Sequence, residues 1–367
     1  MRRRGEVILQ HETTGCYRIV TGCQPRCYDS SAQETMPTES QIISRLKNRV
    51  SIGDRVVLGI GDDAAVIKTE GPADLIACCD LMVEGVHFRT EWTPPRLLGR
   101  KALAANLSDV AAMGGIPKFA MISIALPAKY SSEFIDDLFA GVFELANDSG
   151  VTIVGGDTSS SRDSLFIDIS LIGECQSGKA VSRRGAMIGD RIYVSGSLGA
   201  AAMGLSLLEA GFRIEETQDT TDPRFRAVSK LLAPEPRLAL GRALGESGLA
   251  TAMIDISDGL STDLWHILNE SDVGAKIHAS QIPVADCLSV ADGTPAVDPL
   301  SLALNGGEEY ELLFTVRPDN HQRAAVLAQS VGARITAIGE IVAEKRLSLD
   351  RNGVIESVPA LGYQHLV

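Results

Sequence analysis

Short apolar runs alternate with glycine- and proline-marked turns along most of the chain, and the spacing predicts strands and helices in mixed succession. Residues 56–60 and 64–67 read as short strands around a Gly-Asp-Asp turn, and residues 75–79 as a third strand ending at Asp80. A helix opens at Pro94-Pro95 and runs to about Met113, where Gly114, Gly115 and Pro117 stop it. Residues 119–126 read as a strand. Residues 131–149 carry Phe134, Leu138, Val142 and Leu145 at helical spacing and close at Gly150. Residues 151–154 and 165–172 read as further strands.

The second half repeats this mixture without a short-period repeat. Residues 191–195 predict a strand, followed by Gly196-Ser197-Leu198-Gly199 and an alanine-rich helix to Ala210. A helical region broken at Pro223, Pro234 and Pro236 follows. Residues 252–256 and 260–269 read as strand and helix, and residues 312–316, 321–331 and 335–341 as strand, helix, strand. The pattern puts a domain boundary between Gly173 and Asp190. At the other end, Thr38 and Gln41 have capping-box spacing before an apolar stripe of Ile42, Ile43 and Leu46. Residues 1–35 show neither period, so they read as a disordered or spurious extension, with the folded protein beginning near Met36.

Composition narrows the function classes. The 367 residues are 45% hydrophobic and 22% charged, enough apolar material for two cores. A formal charge of −13 argues against a general nucleic-acid or anionic-membrane surface, which needs a basic field. The longest apolar run, residues 119–128, is ten residues and too short to cross a membrane. Seven cysteines in a long chain, unevenly spaced, read as thiols of a reducing, cytoplasmic compartment. Cys23 and Cys27 lack a partner pair that would complete a zinc site.

Two nucleotide motifs nearly match. The run from Gly173 to Gly178-Lys179-Ala180 has P-loop spacing, but Ala180 stands where a metal-holding hydroxyl is required, and a hairpin turn is the better reading. Gly59-Ile60-Gly61-Asp62-Asp63-Ala64 resembles a dinucleotide fingerprint but precedes a strand. Gly196 to Gly199 lies between strand and helix, as either a phosphate-binding turn or a plain tight turn.

The aspartates are more informative. Asp62 and Asp63, Asp80, Asp157, Asp255, Asp258, Glu308 and Glu309 fall beside glycines or at strand ends, and Asp109 interrupts an apolar helix. Singly they read as caps and turns. Together, converging carboxylates raise each other's pKa unless cations intervene. Oxygen donors without a His or Cys cluster favour Mg²⁺, which completes its shell with water and phosphate oxygens. No H-E-x-x-H or G-x-S-x-G pattern is present, so no protein nucleophile is expected. His87, alone in Glu84-Gly85-Val86-His87-Phe88, reads by itself as a structural histidine.

These segments, in this order, resemble the thiamine-monophosphate kinase family, of the superfamily that includes aminoimidazole ribonucleotide synthetase. The likeness covers roughly residues 38–365. It is carried by Gly59 to Ala64, Asp80 with Val86-His87-Phe88, Lys101 to Gly114 with Asn106 and Asp109, Gly155-Gly156-Asp157-Thr158, Asp255 to Leu260, and Gly306-Gly307-Glu308-Glu309-Tyr310-Glu311-Leu312. The resemblance implies a mixed α/β (α+β) fold of two domains, residues 36–175 binding ATP and Mg²⁺ and residues 185–367 α+β. N-terminal sheets would pair across a homodimer.

The implied activity is ATP-dependent phosphorylation of thiamine monophosphate to thiamine diphosphate, by direct in-line transfer with several Mg²⁺ ions. The implied metal ligands are Asp63, Cys79, Asp80, Asp109, Asp157, Asp255 and Asp258. Gly156, Asp157, Arg183 and Ser257 are implied nucleotide contacts, and His87 and Glu308 substrate contacts. Here Cys78-Cys79 stand where the family commonly has Ser-Thr, and Glu309 where it has Asp. The tail reads Tyr363-Gln364-His365-Leu366, with Ala360 at a position sometimes held by tryptophan. Two rivals are a selenophosphate-synthetase-type enzyme, whose N-terminal Cys followed by Lys is missing, and a metal-loaded scaffold without ATP turnover.

Overall fold

A computed structural model describes residues 38–50, 53–214, 219–289, 298–360 and 362. The expectations for residues 1–35, for Cys23 and Cys27, and for the tail at 363–366 lie outside the described residues.

The first part of the chain forms α1 (Glu39–Lys47), β1 (Val56–Leu58), β2 (Ala65–Ile67), β3 (Ala73–Val83), α2 (Pro95–Ala112), β4 (Ile116–Leu126), α3 (Ser132–Ser149), β5 (Thr152–Ser160) and β6 (Phe166–Gln176). The strands make one sheet in the order β1-β2-β3-β6-β4-β5. Local chemistry sets most of these ends. Thr38 and Gln41 close the capping box of α1, Pro95 starts α2 at its first turn, and Ser131 and left-handed Gly150 bracket α3. The expected apolar stripe of α1 is not buried, since Ile43 and Leu46 are exposed.

Four strands of the first sheet, β3, β4, β5 and β6, are longer than their patterns predicted. Pairing with β6 carries β3 through Asp80 to Val83, so Asp80 lies inside a strand rather than at its end. β5 likewise includes Asp157. The run at Gly173–Ala180 ends β6 in a turn, with Ser177 Oγ and Gly178 N bonded to Asp74. It is a turn but not a hairpin, because the next strand belongs to the other sheet.

That second sheet is built from β7 (Arg191–Ser195), α4 (Ala200–Glu209), α5 (Pro223–Leu232), α6 (Leu238–Ser247), β8 (Ala250–Asp255), α7 (Leu260–Ser271), β9 (Gly274–His278), α8 (Pro299–Asn305), β10 (Leu312–Val316), α9 (His321–Ser330), β11 (Ile335–Val342), β12 (Leu347–Arg351) and β13 (Val354–Ser357). Its strands run β13-β12-β9-β11-β7-β10-β8, almost all antiparallel. β9, α8, β12 and β13 were not among the expected elements, although Ala275-Lys276-Ile277-His278 and Leu347-Ser348-Leu349-Asp350 alternate with a strand period.

Each sheet has its own core. Leu98, Leu103, Leu107, Ile122, Leu138 and Ile169 pack α2 and α3 on one face of the first sheet. Ile192, Ile254, Leu264, Ile277 and Leu313 fill the second. The other face of the first sheet is open, with Leu75, Leu81, Phe119 and Met121 exposed. α2 joins the two halves. Its last turn packs Ala111 and Ala112 among Tyr193, Leu244 and Phe314. At Gly241 of α6 an added Cβ would stand 2.1 Å from Ala111 O, so only glycine permits this approach.

Candidate active site

A cavity of about 1190 Å³ opens where α2 meets the second sheet, lined in part by Asp63, Asp80, His87, Asp109, Arg183, Asp255, Ser257, Asp258 and Glu308. Oxygens of Asp63, Asp109 and Asp255 lie within 4.8 Å of one another, although the residues come from a β1–β2 turn, a helix and the end of β8. Ser108, one residue before Asp109, donates to Asp255 Oδ2 at 2.6 Å and ties α2 to β8. Asp80 adjoins Asp109 closely enough that each carboxyl shifts the other, so four of the expected carboxylates converge.

Burial and mutual repulsion push these acids up. Burial, then the Asp63 charge, lifts Asp255 to about 8 against the Ser108 hydrogen bond. Asp80 rises to about 6 by burial, with Asp168 and Asp63 adding to it. Asp109 stands well above the carboxylate range through burial and the charges of Asp80, Asp255 and Asp63. Arg183 Nη2 meets Asp63 Oδ1 at 2.6 Å and supplies the countercharge. Asp63 Oδ2 is buried with no hydrogen-bond partner. An orphaned carboxylate oxygen within an all-oxygen group fits a hard divalent cation such as Mg²⁺.

Asp62 does a different job from its neighbour. Its carboxylate accepts from the Asp63 and Arg183 backbone N–H groups and shapes the turn. A second group, Asp258 with Asp263 and His266 of α7, also faces the cavity. Burial holds His266 neutral, at about 4. Asp263 Oδ2 accepts from the Asp258 and Gly259 N–H groups. Sequence reading missed Asp263 and His266, although their i, i+3 spacing behind Asp258 places them on one helix face.

His87 sits in a loop fastened by Glu84. That carboxylate accepts from Lys129 Nζ, Tyr130 Oη and the Leu165 N–H, all within 2.8 Å. Burial pushes Glu84 up, but these donors outweigh it and hold the acid at about 2. His87 Nδ1 accepts from Val83 N–H at 3.0 Å, which leaves Nε2–H as the ring's donor.

The three glutamates after Gly306-Gly307 diverge. Glu308 (φ 61°) and Tyr310 (φ 49°) are left-handed, conformations rare outside glycine and typical of constrained sites. Glu308 faces the cavity and pairs with Lys101 Nζ at 2.8 Å. Glu309 turns the other way, accepting from the Gly199 and Ala201 N–H groups at 2.7 and 3.0 Å. A protein carboxylate therefore fills the α4 N-terminus, which rules out Gly196–Gly199 as a phosphate turn. Glu311 is buried among Ser195, Lys230 and Arg237.

Not every expected ligand joins the group. Strand alternation turns Cys78 and Asp80 toward α2 and Cys79 to the open face, so the Cys79 thiol points away from the carboxylates. Its backbone oxygen is what remains near Asp80. Asp157 pairs with Ser123 on edge strand β5, exposed, and three strands from β3, about 14 Å. It belongs to neither carboxylate group among the described residues. Gly156 has a packing role there, because a Cβ would stand 1.8 Å from Ile122 O.

Comparison with known proteins adds an independent line. The N-terminal domain of the AIR synthase related proteins matches residues 61–175, and the C-terminal domain of the same proteins matches residues 188–352. Thiamine-monophosphate kinase of Bacillus subtilis (strain 168) is 36% identical over 338 residues, covering 89% of this chain and 99% of its own. The crystal structure of thiamine-monophosphate kinase from Stenotrophomonas maltophilia K279a superposes with a TM-score of 0.71 at 36% identity, covering 84% of this chain and 95% of that one. AaThiL complexed with AMPPCP and TMP superposes with a TM-score of 0.78 at 29% identity, covering 90% and 99%.

Proposed function

Because the chain belongs to the thiamine-monophosphate kinase family, within the AIR synthase related proteins, we propose that it transfers the γ-phosphoryl group of ATP to thiamine monophosphate, giving thiamine diphosphate and ADP. The observation that carries this reading is the convergence of Asp63, Asp109 and Asp255 within 4.8 Å. The cavity's size, about 1190 Å³, is that of a site for two ligands side by side.

An acceptor phosphate oxygen attacks the γ-phosphorus in line as the bond to the ADP oxygen breaks. The acceptor's second pKa is about 6, so it is already ionised near neutrality and no protein base is required. Asp63, Asp80, Asp109 and Asp255, with Asp258 nearby, would hold more than one Mg²⁺. Bound there, Mg²⁺ supplies the positive charge that lets two polyanions approach. Arg183 keeps its charge beside Asp63 and offsets the nucleotide phosphates. Ser257 and Asp258, on the loop after β8, border the nucleotide. His87 and Glu308 orient the acceptor.

We further assign residues 36–175 as the nucleotide- and metal-binding domain and residues 185–367 as its α+β companion. The chain is placed as a cytoplasmic homodimer. Free thiols at Cys78, Cys79, Cys175 and Cys287 support the compartment. Among the described residues no helix is long and apolar enough to cross a membrane. The exposed Leu75, Leu81, Phe119 and Met121 on the open face support pairing of two such sheets. Gly156 and Asp157 join a site only through that pairing, since one protomer leaves them at the sheet edge. Sedimentation is expected to give twice the chain mass, and a monomer at micromolar concentration would remove the dimer.

A coupled ADP-release assay tests the activity. Turnover is expected only with both thiamine monophosphate and Mg²⁺ present. Metal binding without turnover would identify a scaffold instead. His87→Ala is expected to raise the KM for thiamine monophosphate about tenfold while the ATP KM stays within about twofold. Equal rises in both constants would remove His87 from the acceptor side.

A further inference from the structure

Lys101 is among the largest fully buried side chains of the described residues, with 2% of its surface exposed. A buried ammonium requires a partner, and among the described residues its ion pair is with Glu308 at 2.8 Å. Glu308 is 30% exposed and borders the cavity, so one end of this pair is dry and the other meets the ligand.

The surroundings show what the pair fixes. Lys101 and Asp109 are eight residues apart on α2, about 12 Å along its axis. The helix therefore carries a metal-group carboxylate near its C-terminal end and the holder of Glu308 about two turns earlier, near its middle. Ser108 on the same helix bonds Asp255. On the opposite side, Glu308 N–H donates to Ser257 O at 2.7 Å and Tyr310 N–H to Ile256 O at 2.8 Å. An added Cβ at Gly307 would stand 2.5 Å from Ser257 O, so this segment lies directly on the loop after β8. The Glu308 backbone is thus strapped to the nucleotide-side loop, and its carboxylate is pulled across the cavity to α2.

We propose that Lys101 is a positioning residue: it holds the Glu308 carboxylate at a fixed distance from the α2 carboxylates and so sets how the acceptor binds relative to the metal group. The proposal rests on the kinase reading above. Ammonium and carboxylate meet in a partly dry site, where losing the cation frees the carboxylate to turn toward water or toward Arg183.

Lys101→Met keeps the buried length and removes the charge. Its KM for thiamine monophosphate is expected to rise at least about tenfold, with the ATP KM within about twofold and kcat at saturating acceptor much less affected. Because Lys101 acts through Glu308, the effect should vanish in a Glu308→Gln background, so K101M/E308Q matches E308Q. An unchanged acceptor KM in K101M, or a further tenfold rise in the double variant over E308Q, overturns the proposal. Should K101M alone not fold, the double variant buries no unpaired charge and carries the same comparison. A wild type that does not phosphorylate thiamine monophosphate overturns both readings. An active wild type with an unchanged K101M overturns this one alone.

Discussion

Asp109→Asn is expected to lower kcat by at least about a hundredfold, on the order of 3 kcal/mol of transition-state stabilisation, without unfolding the protein. Asp109 sits half-buried on α2 between Asp80, Asp255 and Asp63, and its pKa is driven well up by desolvation and their charges. An amide of the same shape relieves that repulsion, so the melting temperature should hold or rise. The same amide loses the anionic oxygen that a cation needs beside Asp63 and Asp255. ADP release at saturating ATP and thiamine monophosphate, read with a melting curve, checks both halves. Near-normal turnover, or an unfolded variant, counts against the metal assignment.

Glu311→Ala is expected to cost about 3–5 kcal/mol of stability, the scale for breaking a buried charge pair from one side. The Glu311 side chain is 1% exposed and meets Lys230 at 2.7 Å and Arg237 Nη2 at 2.5 Å. Ser195 Oγ, itself bonded to the Leu312 N–H, adds a third donor at 2.6 Å. Burial pushes the acid up, but Arg237 and Lys230 outweigh it and hold its pKa below the ordinary glutamate value. A depressed folded-state pKa means this contribution is complete above the ordinary pKa and is lost as pH falls through the lower one. Urea midpoints at neutral pH measure the loss. A shift worth under about 1 kcal/mol would mean that water replaces the carboxylate.

The two experiments separate two kinds of acidic residue that look alike in the sequence. Asp109 and Glu311 each interrupt apolar surroundings and each carry the same charge. One has carboxylates for neighbours and the other has cations. That difference sets the sign of the pKa shift, and with it the division between ligand and strut.

How much was legible varies by element. The capping box at Thr38 and Gln41, the start of α2 at Pro95 and the αL glycine after α3 were all readable, because each is set by residues within one turn. Strand ends were less so. Asp80 reads as a strand terminus until β6 pairs with it and carries β3 on to Val83. Lys101 belongs to the same family motif as Asp109, and the motif alone assigns it no role. Its signal was weak, because adjacent Arg100 carries the same charge and only burial in the folded helix tells the two apart.

The sequence by itself determined the inventory: a mixed α/β chain, family motifs in order, and acidic residues set beside glycines on turns. Tertiary structure decided which of them meet. Asp63, Asp109 and Asp255 converge because α2 packs against β8 while the β1–β2 turn folds over both. Asp157, equally prominent in the chain, stays on an edge strand. Three glutamates within four positions face a cavity, a helix end and an ion pair. The physical reason is range. Caps and turns depend on neighbours within a few residues, whereas a side chain's direction depends on which sheet face is covered, and pairing between strands far apart in the chain settles that.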